Sequence, residues 1–172
     1  MTDSIHVRLA SPLDFSIDEL AKEASRITKF LLCQKDDFEL DFVFSKEGKN
    51  MESCISISES IYGFEEKNYL GFGAYLSYDL DEYWELYGDR MVYDFCVIEI
   101  PRTTKNLLPI ICMALAISAA KLSSETCIVD YHGFWSGKGD SVKIDDLMNI
   151  ANSYFLPLDE AMVCFYNKLP LI

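Results

Sequence analysis

Histidine is scarce in this sequence, which contains only His6 and His132. Two histidines that lie so far apart in the chain offer little material for a metal site or a catalytic base. The sequence also lacks the G-x-S-x-G motif of serine hydrolases, the H-E-x-x-H motif of zinc proteases and the EF-hand calcium loop. We therefore expect a protein that holds no metal or cofactor and is not an enzyme.

Basic residues are few compared with acidic ones. Lysine and arginine total 15 and aspartate and glutamate total 28, so the formal net charge is −13. A field of this sign repels nucleic acids and anionic membranes, and it speeds encounters with a cationic partner. No basic patch with interleaved aromatic residues indicates nucleic-acid binding. The charge predicts a basic protein partner, with no nucleic acid and no membrane, although a protein that is merely soluble and acidic has the same charge.

Three further absences concern the cellular compartment. The N-terminus has no basic segment followed by an apolar run, so we expect no signal peptide. The apolar run at residues 107–120 is shorter than the roughly 20 residues of a spanning helix. No C-x-x-C pair occurs, and cysteines scattered through apolar runs are typical of a reducing compartment. The six are Cys33, Cys54, Cys96, Cys112, Cys127 and Cys164. We predict a cytoplasmic protein.

Two segments predict the main helices. Ser16 and Glu19 form an S-x-x-E capping box ahead of an amphipathic helix at residues 17–32, whose apolar stripe we expect to cover a sheet. Residues 107–122 predict a second helix, apolar and buried. A further helix is expected at residues 144–155, and a short one from about Asp159. No linker or repeat marks a boundary, so we predict one domain spanning residues 1–172.

Alternation of apolar and polar residues predicts the strands. Hairpin-like spacing between them favours antiparallel pairing, and the strand that is apolar on both faces is expected to be central. Residues 46–50 and 65–68 are predicted turns, and residues 133–140 a loop. The predicted fold class is α+β, with a mainly antiparallel sheet of about five or six strands packed by two main helices. The strands are expected at residues 5–9, 40–44, 55–61, 69–78, 91–100 and 126–131.

The segment DLDEYWELYGD, at residues 79–89, has the most unusual local composition. Aromatic side chains within a ring of carboxylates suit a protein–protein interface with a basic partner. The alternative is a solvated connection between two strands, with Trp84 in the core. The predicted partner-binding residues are Asp79, Asp81, Glu82, Tyr83, Trp84, Glu85, Tyr87 and Asp89.

Asp130 and His132, at the exit of the strand predicted at residues 126–131, are the best candidates for chemistry. An acid and a histidine can form a general base with its orienting group. Side chains two residues apart need not face each other, however, and no sequence motif nearby indicates a nucleophile. A small cytosolic enzyme built on these two residues is the alternative function. The non-catalytic explanation of these residues is that they belong to a surface loop in which Trp135 is packed.

The end of the apolar helix and the strand after it read AAKLSSETCIVDYHGFW. This stretch resembles a pattern in small cytosolic bacterial proteins, in which an alanine-rich helix, a polar turn and a strand lead to an aromatic-rich loop. Many such proteins are similar to immunity proteins of polymorphic or contact-dependent toxin systems. The resemblance covers about thirty residues, 107–135. It implies tight binding of a toxin domain, often a basic nuclease, whose active site acidic side chains cover.

These observations together favour a non-enzymatic immunity protein that neutralises a cationic toxin by occluding its active site. The expected mechanism is steering by the −13 field, followed by anchoring through Trp84 and its neighbours. Besides the small enzyme, a further alternative is a structural subunit that buries apolar surface in a homo-oligomer. The sequence leaves the oligomeric state undetermined.

Overall fold

The computed structural model describes residues 2–9, 15–36, 38, 40, 42–46, 49–50, 63–66, 73–80, 93–101, 106–130, 132–133, 135–137 and 139–170. Within these ranges the chain forms eight strands and four α-helices. In chain order they are β1 Thr2–Leu9, α1 Ile17–Leu32, β2 Phe42–Lys46, β3 Lys49–Asn50, β4 Gly63–Glu66, β5 Gly73–Leu80, β6 Tyr93–Pro101, α2 Leu107–Leu122, β7 Cys127–Asp130, β8 Asp140–Lys143, α3 Ile144–Met148 and α4 Leu158–Tyr166.

The strands pair in the order β3-β2-β4-β5-β6-β1-β7-β8, and each of these described pairs is antiparallel. The predicted count of five or six strands packed by two helices is therefore wrong. Some side chains are described in β1, β7 and β8, which are neighbours in the sheet, and none in the other five strands. The count failed because β3 has two residues and β4 and β8 have four each, which is too short for a clear alternation. Glu65 and Glu66, predicted in a turn, belong to β4.

Helix α1 has the bounds that its sequence predicts. The Ser16 hydroxyl accepts from the Glu19 amide and the Glu19 carboxylate accepts from the Ser16 amide, so the capping box is present. Its buried stripe includes Leu20, Ala24, Ile27 and Leu31. The expectation that this stripe covers the sheet is wrong, because α1 packs mainly on α2 and α4.

Helix α2 lies between α1 and the sheet, in contact with α1 on one side and with β6, β1 and β7 on the other. All residues from Leu107 to Ala120 are buried. A helix enclosed on both sides has no need of a polar face, which explains its uniformly apolar sequence. The Asn106 side chain caps its first turn by accepting from the Leu108 amide at 3.1 Å. In the described part of the chain, no helix is both long and apolar enough to span a bilayer.

The region after β8 differs from its prediction. Helix α3 ends at Met148 and does not continue to residue 155. The Asn152 amide donates to the Leu31 carbonyl at 2.8 Å, and the Asn152 side-chain amide donates to the Ala161 carbonyl at 2.8 Å. The first of these bonds takes the place of the helical bond from the Asn152 amide to the Met148 carbonyl, and the two together link the segment after α3 to the end of α1 and to α4. The short helix expected from about Asp159 is present as α4.

Candidate functional site

Most of the predicted partner-binding segment lies outside the described residues. Asp79 belongs to β5, and Leu80, the last residue of that strand, pairs with Tyr93 of β6. Residues 81–92 therefore connect two strands that are neighbours in the sheet. The predicted residues outside the described ranges are Asp81, Glu82, Tyr83, Trp84, Glu85, Tyr87 and Asp89.

The strand register places two acids and one base in a row beside that connection. Asp79 pairs with Asp94 of β6, and Asp94 pairs with Arg8 of β1.

Asp130, the candidate orienting group, is 1% exposed at the end of β7. Its Oδ2 accepts from the Trp135 amide at 2.8 Å, from the Ser136 amide at 3.1 Å and from the Ser136 hydroxyl at 3.2 Å. Its backbone carbonyl accepts from the Gly133 amide at 3.0 Å. The carboxylate therefore holds the following loop in a closed turn, which is a structural task.

His132, the other candidate for chemistry, is exposed at the surface of this turn, whereas Asp130 is buried beneath it. A base and its orienting group work as a unit only when the orienting group fixes the histidine ring. The three hydrogen bonds that Asp130 Oδ2 accepts come from Trp135 and Ser136. The geometry thus favours the structural explanation of this loop over the catalytic one.

The loop is also fixed by close packing on the C-terminal segment. The Gly137 amide donates to the Gly133 carbonyl at 2.8 Å, and Gly137 has a φ of +67°. A Cβ at this position would lie 2.9 Å from Pro170 Cβ. Both the backbone conformation and the space require glycine here. Trp135 lies beneath the loop and is 1% exposed.

The strands that flank the two sequence-predicted sites meet β1 at different positions. Tyr93, which follows the acidic segment, pairs with Leu9 at one end of β1. Asp130 pairs with Ile5, towards the other end of β1.

Sequence reasoning missed a groove next to the Asp130 loop, with a volume of about 490 Å³. It lies between strand β8, helix α3, the Trp135 turn and the C-terminal segment. The available signal was the alternation of Ser141, Val142 and Lys143 just before α3, which is too short to identify a strand by itself. The groove is lined by Trp135, Ser136, Ser141, Val142, Lys143, Asp146, Leu147, Ile150, Lys168 and Pro170.

Cysteine, histidine and acidic side chains do not assemble into a metal site in the part of the chain that the structure describes. No group of three or more of them is placed to hold a metal ion there. Cys112, for example, is buried in α2, and burial raises the pKa of its thiol well above the usual range. Such a thiol packs as a small apolar side chain.

Comparisons with known protein families, characterised proteins and solved structures find no match to this chain. The resemblance of residues 107–135 to immunity proteins therefore stays a prediction. Function has to be argued from the chain's own charge, burial and hydrogen bonding.

Proposed function

We propose that the protein is a non-enzymatic binding protein that neutralises a cationic protein toxin, such as a nuclease, by covering its active site. In this proposal it acts as an immunity protein in the bacterial cytoplasm. The observation that carries the proposal is the position of the negative charge. Among the acids whose side chains are described, Asp130 is the buried one, and the others lie at least partly at the surface.

Surface carboxylates produce the long-range field that steers a basic partner. With a net charge of −13, electrostatic attraction raises the association rate with a cationic protein by tens to hundreds of times or more at low salt. The field guides encounter, and apolar anchors then supply most of the lasting affinity. The proposed anchors are Tyr83, Trp84 and Tyr87, surrounded by Asp81, Glu82 and Glu85.

The alternative function, a small enzyme using Asp130 and His132, is less well supported. The Asp130 carboxylate accepts three hydrogen bonds from the loop that it closes. Turning this carboxylate towards the His132 ring would weaken the bonds that hold the loop. This argument concerns that one pair of residues and leaves the binding proposal as the better account.

The first test is to capture partners from a lysate of the native organism at low and at high salt, with identification by mass spectrometry. We expect one basic, toxin-like protein that is retained at low salt and partly released at high salt, because screening weakens attraction between exposed charges. Absence of a basic partner at either salt would contradict the proposal.

The second test locates the surface with two matched charge reversals. Glu82→Lys/Glu85→Lys changes the proposed site, and Asp159→Lys/Glu160→Lys makes the same change in net charge at exposed positions of α4. We expect the first variant to lower the affinity and flatten its dependence on salt far more than the second. Equal losses would show that the overall field acts without a site at residues 79–89.

A further inference from the structure

We propose that the groove beside β8 binds a small organic anion with an apolar body, such as an aromatic or short aliphatic carboxylate. This inference is independent of the proposed function, because the groove lies by the Asp130 loop, away from the sheet end next to residues 81–92. Its volume of about 490 Å³ is within the range of roughly 300–1,000 Å³ that is usual for small-molecule sites.

The floor of the groove is apolar. Trp135, Val142 and Leu147 line it and belong to the hydrophobic core, with Trp135 and Leu147 each 1% exposed. Ile150 and Pro170 extend this surface at the sides. Because Trp135 and Leu147 are almost fully buried, the apolar surface that a ligand would cover is mostly that of Ile150 and Pro170, and release of water from it favours binding.

The rim of the groove is polar and locally cationic. Among the described lining residues, Lys143 and Lys168 are the cationic groups on it and Asp146 is the carboxylate, with the hydroxyls of Ser136 and Ser141 nearby. The chain has a net charge of −13, so two ammonium groups around one apolar floor differ in sign from most of the charge of the protein. This arrangement selects a ligand with an anionic end.

Lys168 is fixed in place before any ligand arrives. Its Nζ donates to the Ala151 carbonyl at 2.8 Å. An ammonium group has three N–H donors, and this bond uses one of them. An ammonium that is already positioned loses less side-chain freedom on binding an anion, so its attraction contributes more to affinity.

The test uses two probes with the same aromatic skeleton. 8-Anilinonaphthalene-1-sulfonate carries an anionic group, and N-phenyl-1-naphthylamine is neutral. Binding is followed by NMR of the tryptophan indole N–H signals, of which the protein has two because it contains two tryptophans. Trp84→Phe removes one signal and so identifies that of Trp135.

We expect the sulfonate to shift the Trp135 signal saturably with one site. Lys143→Gln should weaken this binding by about threefold, the effect of one partly exposed ion pair, and Asp146→Asn should strengthen it. Lys22→Gln, which removes the same charge from an exposed position on α1, should leave it unchanged. The neutral probe should bind wild type and Lys143→Gln equally.

Two results would overturn the proposal. The first is an unmoved Trp135 signal at sulfonate concentrations that produce probe fluorescence, because the probe would then bind elsewhere. The second is an equal loss of affinity in Lys143→Gln and Lys22→Gln, because binding would then follow net charge and not the rim of the groove.

Discussion

A single buried carboxylate organises the turn after β7. Moving an ionised carboxylate out of water costs several kcal/mol unless hydrogen bonds compensate for its lost hydration. At Asp130 two backbone amides and one hydroxyl provide that compensation. The same bonds place Trp135 under the loop, where it forms part of the groove floor. One side chain thus links the stability of the turn to the shape of the groove.

Removing this carboxylate should therefore be costly. We expect Asp130→Ala to lower the free energy of unfolding by about 3 kcal/mol, because it leaves the Trp135 and Ser136 amides without their acceptor. Asp130→Asn keeps an acceptor oxygen but loses the charge, so about half that loss is expected. Urea denaturation at neutral pH measures both.

Asp146→Asn is the matched control for the Asp130 variants, because Asp146 is exposed and should change stability by less than about 0.5 kcal/mol. If Asp130→Ala were no more destabilising than Asp146→Asn, the turn would not depend on the carboxylate. The catalytic hypothesis for Asp130 and His132 would then regain weight.

Helices were predictable from sequence where their signals are local. The bounds of α1 follow from the capping box at Ser16 and Glu19 and from a stripe of period 3.6, all of which lie within the helix. The early end of α3 follows from a bond between Asn152 and Leu31. Leu31 is more than a hundred residues away from Asn152 in the chain, so no local sequence pattern predicts this bond.

The groove was not predictable for the same reason. Its lining comes from four separate segments between Trp135 and Pro170, and none of them has an unusual composition. Asp130 was recognisable from the sequence as a notable residue, and the structure adds the hydrogen bonds that it accepts from Trp135 and Ser136. Residues 79–89 were recognisable by composition, and only Asp79 and Leu80 of them are described.

Because α2 lies between two layers, we expect truncations on either side of this helix to destabilise the fold. Leu115 and Ile117 are two residues apart, so they lie on nearly opposite sides of the helix, and both are 0% exposed. We expect Leu115→Ala and Ile117→Ala each to cost about 2–5 kcal/mol, because each leaves a cavity in a packed layer. Thermal or urea denaturation measures the loss.

Phe30→Ala provides the comparison in α1, since Phe30 is 50% exposed and its removal opens no enclosed cavity. Its cost should be clearly smaller than those of the two α2 variants. A small cost at either Leu115 or Ile117 would show that one side of α2 is not enclosed, contrary to the layered arrangement.

At the scale of the whole molecule, part of the surface acidity also stabilises the fold. A hydrogen bond from the Ser16 amide lowers the pKa of Glu19, one from Arg26 lowers the pKa of Glu23, and one from Lys29 lowers the pKa of Asp36. All three groups belong to α1 or the turn after it. The carboxylates on the water-facing side of α1 therefore contribute both to the negative field of the protein and to the stability of the fold.

These lowered pKa values give a definite dependence of stability on pH. A carboxylate whose folded pKa is below its unfolded value stabilises the fold fully above the unfolded value, about 4.5 for glutamate. It loses that contribution as the pH falls through the folded value. The free energy of unfolding should therefore be steady near neutral pH and decline below about pH 5.

Glu23→Gln tests this linkage, because it removes a titrating group whose hydrogen-bond partner is Arg26. We expect the variant to be less stable than wild type at pH 7 but to lose less stability between pH 7 and pH 3. Glu160→Gln removes one negative charge from an exposed position on α4 and controls for the change in net charge. If the two variants had the same pH profile in urea denaturation, the decline would come from general charge repulsion and not from the bonds along α1.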